Sequence, residues 1–213
     1  MDGSGKWIAD KVKNLTDVKV ATVITPQRVE IVRTEFPPII VGTTAVEHFD
    51  EGNFVPFLTG EPSVSFIVNI TKEASISGEA LRLSEAHRIP IGGVGDLMRA
   101  IAEEDVRQYV YRDVQFITRG LTQHSRIASY TRLDDKRYLL KRRGLQDVQV
   151  IFLYEYELTA DHVRTARSRY GMFSMLVNTH PYGRATSSAH AAAVSIETKV
   201  YDWSEFLSAL HRK

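Results

Sequence analysis

Four carboxylates and a run of cations crowd one stretch of this 213-residue chain. Asp134 and Asp135 sit in a tight turn between two strand-like runs, IASYTRLDD and KRYLLKRRG, and Glu155 and Glu157 follow in VQVIFLYEYEL. Residues two apart on a strand share a face, so Glu155 and Glu157 can point at one cation. Lys136, Arg137, Lys141, Arg142 and Arg143 flank the same hairpin, with Arg119, Arg126 and Arg132 nearby, and suit contact with a phosphate backbone. Each group also has a plainer reading. Aspartate is common in turns for its own backbone hydrogen bonds, and lysine and arginine keep exposed strand edges from pairing. A second stretch, Asn178–Thr179–His180–Pro181–Tyr182–Gly183–Arg184, follows a buried strand, where open α/β sheets keep their sites. His180 there suits a general base and Arg184 an anion contact, against a simple turn made by Pro181 and Gly183. Gly92-Gly93-Val94-Gly95 lacks the spacing of a phosphate loop and reads as a turn before a helix. The other histidines show no metal-ligand spacing.

These residues must be positioned by a pattern that occurs twice. Residues 64–101 and 173–210 align without a gap at an offset of 109, with Asn69 on Asn178, Val68 on Val177 and Ala80 on Ala189. Each copy is a β-branched run ending in Asn, a polar turn, an Ala-bearing helix, a short strand and a closing amphipathic helix. Such a repeat implies two copies of one α/β unit, with Val68 and Val177 buried at equivalent places. Residues 18–44 read as two or three strands with a turn at Pro26-Gln27, and 45–62 as a short helix and loop packing Phe49, Phe54 and Phe57. The second half opens with a helix expected over Glu104–Gln123, then three strands, the third running through VQVIFLYEYEL. Thr159 is placed to cap the next helix and Ser204 the last one. The expected division is 1–103 and 104–213.

Composition is ordinary for a soluble globular protein, at 43% hydrophobic and 25% charged. No cysteine is present, which removes disulfides, thiolate metal sites and a Cys nucleophile and fits a reducing compartment; a cytoplasmic location is expected. No apolar run reaches membrane-spanning length, so no membrane partner is expected. The net charge is +1, so a nucleic-acid partner needs a local basic patch.

The element order of the second half resembles the restriction-endonuclease-like fold of the Mrr-type nucleases, carried by MLVNTHPYGRATSSAHAAAVSIETKVYDWSEFLSAL and, in part, by FIVNITKEASISGEALRLSEAHRIPIGGVGDLMRAI. The resemblance implies two tandem nuclease-like units with mixed sheets, the first of them structural. It also implies an acid entering the second core strand and an acid-x-Lys pair on the third, holding Mg²⁺ that activates water against a phosphodiester. Asp135, Glu155 and Glu157 fall at those places, with Glu157 standing where the family has Lys. The expected function is then that of a DNA-associated protein of restriction or defence type. The alternatives are a non-catalytic adaptor with a protein partner or homodimer, and a Rossmann-like small-ligand sensor whose sheet would be all parallel.

Overall fold

A computed structural model describes residues 3–212. The chain divides into two compact units, residues 1–111 and 112–213. In the first, α1 (Ser4–Val12) precedes three strands, β1 (Val18–Thr25), β2 (Arg28–Arg33) and β3 (Ile39–Thr44). A short β4 (His48–Phe49), α2 (Glu51–Thr59), β5 (Phe66–Asn69), β6 (Ser75–Ile76), α3 (Gly78–His87), β7 (Ile91–Gly92) and α4 (Val94–Ile101) follow. The second unit repeats that order: α5 (Arg112–Gln123), β8 (Ile127–Arg132), β9 (Arg137–Arg142), β10 (Val148–Leu153), β11 (Glu157–Leu158), α6 (Ala160–Tyr170), β12 (Met175–Asn178), β13 (Arg184–Ala185), α7 (Ser187–Ser195), β14 (Lys199–Asp202) and α8 (Trp203–Ala209).

Each unit is built on a mixed five-stranded sheet, β1-β2-β3-β5-β7 in one and β8-β9-β10-β12-β14 in the other. The first three strands of each pair antiparallel and the last three parallel. The all-parallel order of a Rossmann-like repeat is therefore not what the described residues form. The register is copied too. Val41 faces Phe66 as Val150 faces Met175, and the irregularity at Val18/Val20 recurs at Ile127/Ser129, each 109 positions on. Two apolar cores line the two faces of each sheet, because alternate strand residues point to opposite sides. In the second unit Val150, Phe152, Val177 and Phe206 belong to one core, and Ile151, Leu176, Val163 and Ala189 to the other. Val68 and Val177 are both fully buried. Among the described residues, no helix is long and apolar enough to cross a membrane.

Three expectations are corrected. The helix expected over Glu104–Gln123 begins at Arg112, and residues Val106–Gln108 form only a short 3-10 turn capped by Asp105. The unit division accordingly falls after Tyr111 and not after residue 103. The last helix is capped by Asp202, with Glu205 closing a reciprocal capping box, and not by Ser204.

A buried arginine closes each unit. Arg33, 4% exposed, donates from Nε to Pro37 O at 2.8 Å and from Nη1 to Ile101 O and Glu103 O at 3.3 and 2.6 Å. Arg142, 8% exposed, donates from Nε to Gln146 O at 2.8 Å and from Nη1 to Leu210 O and Arg212 O at 3.4 and 2.8 Å. Both clamp the carbonyls that the closing helix leaves without intrahelical partners. Replacing Arg142 by Met keeps the apolar stem but abandons three carbonyls. Urea unfolding should show a loss of about 2–4 kcal/mol, and Arg142→Lys should recover little of it, because one ammonium cannot span the fork.

Candidate functional site

Parallel strands β10 and β12 end side by side, and an asparagine decides what happens next. Asn178 Oδ1 accepts from Glu155 N at 3.1 Å and His180 N at 3.2 Å, while its Nδ2 donates to Glu155 O at 2.8 Å. The side-chain amide thus pairs with the neighbouring chain as a further strand residue would, and it turns both chains away from the sheet. Asn69 does the same to Val46 and Thr71 in the first unit.

This hub relocates the expected acids. β10 stops at Leu153, and its residues VQVIFL carry no ionisable group. Glu155 lies beyond the strand, with its carboxylate 3.8 Å from His162 Nε2. Glu157 sits on β11, beside Arg184 of β13 in the parallel register. The two glutamates therefore do not share one strand. Asp134 is buried in the β8–β9 turn; its Oδ1 accepts from the backbone of Lys136 and Arg137, and its Oδ2 from Arg137 Nε. Asp135 lies near Tyr170, whose phenol is pushed above its ordinary range by burial first and by the charge of Asp135 second. Phe152 N bonds Lys136 O, so the strand position alongside Asp135 is apolar. Among the described residues no three His, Asp or Glu side chains converge as a cation site. The donor set that the nuclease resemblance implies for Mg²⁺ is thus divided among the β8–β9 turn (Asp135), the loop after β10 (Glu155) and β11 (Glu157).

The cations of the hairpin do not form one patch. Arg137 reaches back to Asp134 and to Tyr170 O at the end of α6, and Arg142 is the buried clamp described above. Lys136 stands at the turn, while Lys141 and Arg143 lie at the far end of β9. Seven residue steps separate Lys136 from Arg143, roughly 24 Å at about 3.4 Å each. At that far end other cations collect. Arg143 N donates to Arg126 O at 2.8 Å, Arg126 Nε donates to His211 Nδ1 at 3.3 Å, and the His124 and His211 rings lie 4.9 Å apart. Arg126, Lys141, Arg143, His211 and Arg212 are all exposed. The first unit has Asp17, Val32, Thr34, Ala102 and Glu103 at the corresponding positions, so the fold does not require this cluster.

Charge divides the same way. Sixteen of the 27 lysines and arginines, but only ten of the 26 acids, lie in residues 112–213, which leaves that unit +6 and the first −5. The whole-chain net charge of +1 conceals this split, and a count by halves would have found it.

At the hub end His180 is held by its neighbours: Tyr182 N donates to Nδ1 at 3.1 Å, so the neutral ring carries its proton on Nε2. Arg184 is exposed on β13. Comparison of the chain with protein-family models, with curated proteins and with solved structures finds no match.

His124 offers a probe of the cationic end. Burial holds its imidazole below its ordinary value, and the nearby charges of His211 and Arg126 add to this. A depressed folded value means that the unfolded chain takes up the proton first. The contribution of His124 to stability should therefore be full above about pH 6.5 and be lost as pH drops below it. An NMR titration should place the His124 midpoint below 6.5, and phosphate docked beside it should raise that midpoint.

Proposed function

We propose that the chain is a non-cleaving, DNA-associated protein built on two tandem restriction-endonuclease-like units, with the second unit carrying the nucleic-acid surface. The observation that carries this reading is the charge split: two copies of one scaffold, one at −5 and the other at +6. An asymmetry of that size between halves marks interaction with a polyanion. The helix-first, mixed five-stranded sheet supports the nuclease-like reading of the fold. The apolar β10 and the separated positions of Glu155 and Glu157 support binding without hydrolysis.

In this reading Arg126, Lys141, Arg143 and Arg212 meet phosphates, and each contact releases condensed counterions. Arg137 and Arg142 contribute through the fold they hold together.

Fluorescence anisotropy with a labelled DNA duplex, titrated across salt concentrations, tests this. The parent should bind more weakly as salt rises. The triple variant R126A/K141A/R143A should lose up to about three units of the log–log salt slope, near 0.9 per phosphate contact. Binding that ignores salt, or a triple variant that binds as the parent does, would reject the surface. Absence of DNA binding by the parent would turn the reading toward a protein adaptor.

The non-cleaving part has its own check. Millimolar Mg²⁺ or Mn²⁺ should leave the melting temperature unmoved, and Glu155→Gln, at a half-buried side chain whose only ion-pair contact among the described residues is a 3.8 Å approach to His162, should change stability by no more than about 1 kcal/mol. A metal-induced rise in the parent that is absent from the variant would restore a catalytic site.

A further inference from the structure

Three tyrosines stand in water around His180. Its ring centroid lies 4.6 Å from that of Tyr154, 5.6 Å from Tyr156 and 6.4 Å from Tyr182, at interplanar angles of 53°, 87° and 62°. The tyrosines are 48%, 65% and 78% exposed. Large rings left this open gain the fold little from burial. The first unit shows how little: on the same backbone, with the same asparagine hub, it places Ala45, Glu47, Thr71 and Glu73 where the second has Tyr154, Tyr156, His180 and Tyr182. The scaffold is thus complete without the rings.

What the rings do have is a rigid mount. Asn178 fixes the backbone of Glu155, between Tyr154 and Tyr156, and that of His180. Gly183 packs so closely beneath the loop that an added Cβ would stand 2.5 Å from both Asn178 Nδ2 and Glu155 O. The His180 ring is oriented by Tyr182 N, which leaves Nε2–H as a donor. The backbone that carries the four rings and the His180 ring itself are therefore fixed, which lowers the entropy cost of ordering the cluster on a ligand.

We infer that this cluster is a stacking platform for unpaired nucleobases, a role that rests on the nucleic-acid reading above and narrows its ligand to single-stranded or frayed DNA. Aromatic faces accept any base, and the phosphate backbone of the strand is drawn by the net charge of the unit, with Arg184 exposed on the neighbouring β13. Charge complementarity selects the occupant. The unit is +6, and the two platform positions that are acidic in the −5 unit, Glu47 and Glu73, are here replaced by Tyr156 and Tyr182. A protein partner seated on the same tyrosines is the competing occupant that the test must exclude.

The test compares four forms of the full chain. They are the parent, Y156A/Y182A, the conservative Y156F/Y182F and the cation variant R126A/K141A/R143A. Each is titrated with a single-stranded oligonucleotide, an abasic strand of the same length and the matching duplex. The parent should prefer the strand with bases to the abasic one. Y156A/Y182A should weaken binding to that strand five- to hundred-fold for each base stack lost, with duplex affinity, salt slope and melting temperature unchanged. Y156F/Y182F should bind as the parent, since the ring face is kept. A 2-aminopurine base in the strand should be quenched by the parent and the Phe form only. If the parent binds abasic and normal strands alike, or the Ala form binds as the parent, the platform is overturned while the charge-based reading stands. If the parent binds no nucleic acid of any kind, both fall, and the tyrosines pass to the protein partner.

Discussion

Where two parallel strands stop together, their last peptide groups need partners that the sheet can no longer supply. Asn69 and Asn178 meet that need with one side chain each, offering an acceptor and a donor in the geometry of a backbone residue. Everything mounted on that edge depends on the arrangement. It determines where β3 and β10 end and the direction in which the following loop leaves. It also governs how closely the turn after β5 or β12 lies against that loop. Without such a tie, the rings around His180 would sit on two separate loops with no reason to converge.

Much of the scaffold was legible in the amino-acid order. The ungapped repeat, the burial of Val68 and Val177 and the aromatic packing around α2 follow from local periodicity, which both copies carry. The end of β10 was not legible, for a physical reason. VQVIFLYEYEL passes from an apolar run into a two-residue alternation, both of which suit a strand, so nothing local marks a stop at Leu153; the stop is imposed by Asn178, 23 residues beyond the Glu155 whose backbone it holds. The basic run KRYLLKRRG misled in a similar way. A count of cations treats Arg142 like Lys141, yet strand alternation turns Arg142 inward, where carbonyls consume its donors. Its counterpart Arg33 lies in a stretch with no basic run around it, and that pairing was the available clue. The helix expected from Glu104 failed because Val106, Tyr109 and Val110 keep helical spacing while Asp105 caps only a single 3-10 turn.

The two copies divide what the fold needs from what it merely carries. Shared positions are the asparagine hub, the arginine clamp, the small polar caps Ser77 and Thr186, and the alternating core. Two groups that the second copy alone carries stand at the two ends of its sheet, cations at one and rings at the other. The first copy thus serves as an internal reference of the same length and topology.

That equality of length has a consequence for how the chain comes to its native state. Every strand of one copy has a twin with the same register and the same sequence separation from its partners, so β3 could in principle seek the place of β10 during folding. Tandem copies are prone to such misassembly. The defence lies in how few residues the copies share. Gly42 in β3 admits the Phe57 ring to within 2.6 Å of where a Cβ would stand, whereas Ile151 fills the same position in β10. Exchanged strands would leave a void in one core and a clash in the other. The divergence that hides the duplication at the level of identity thus makes each core a poor fit for the other copy's strand.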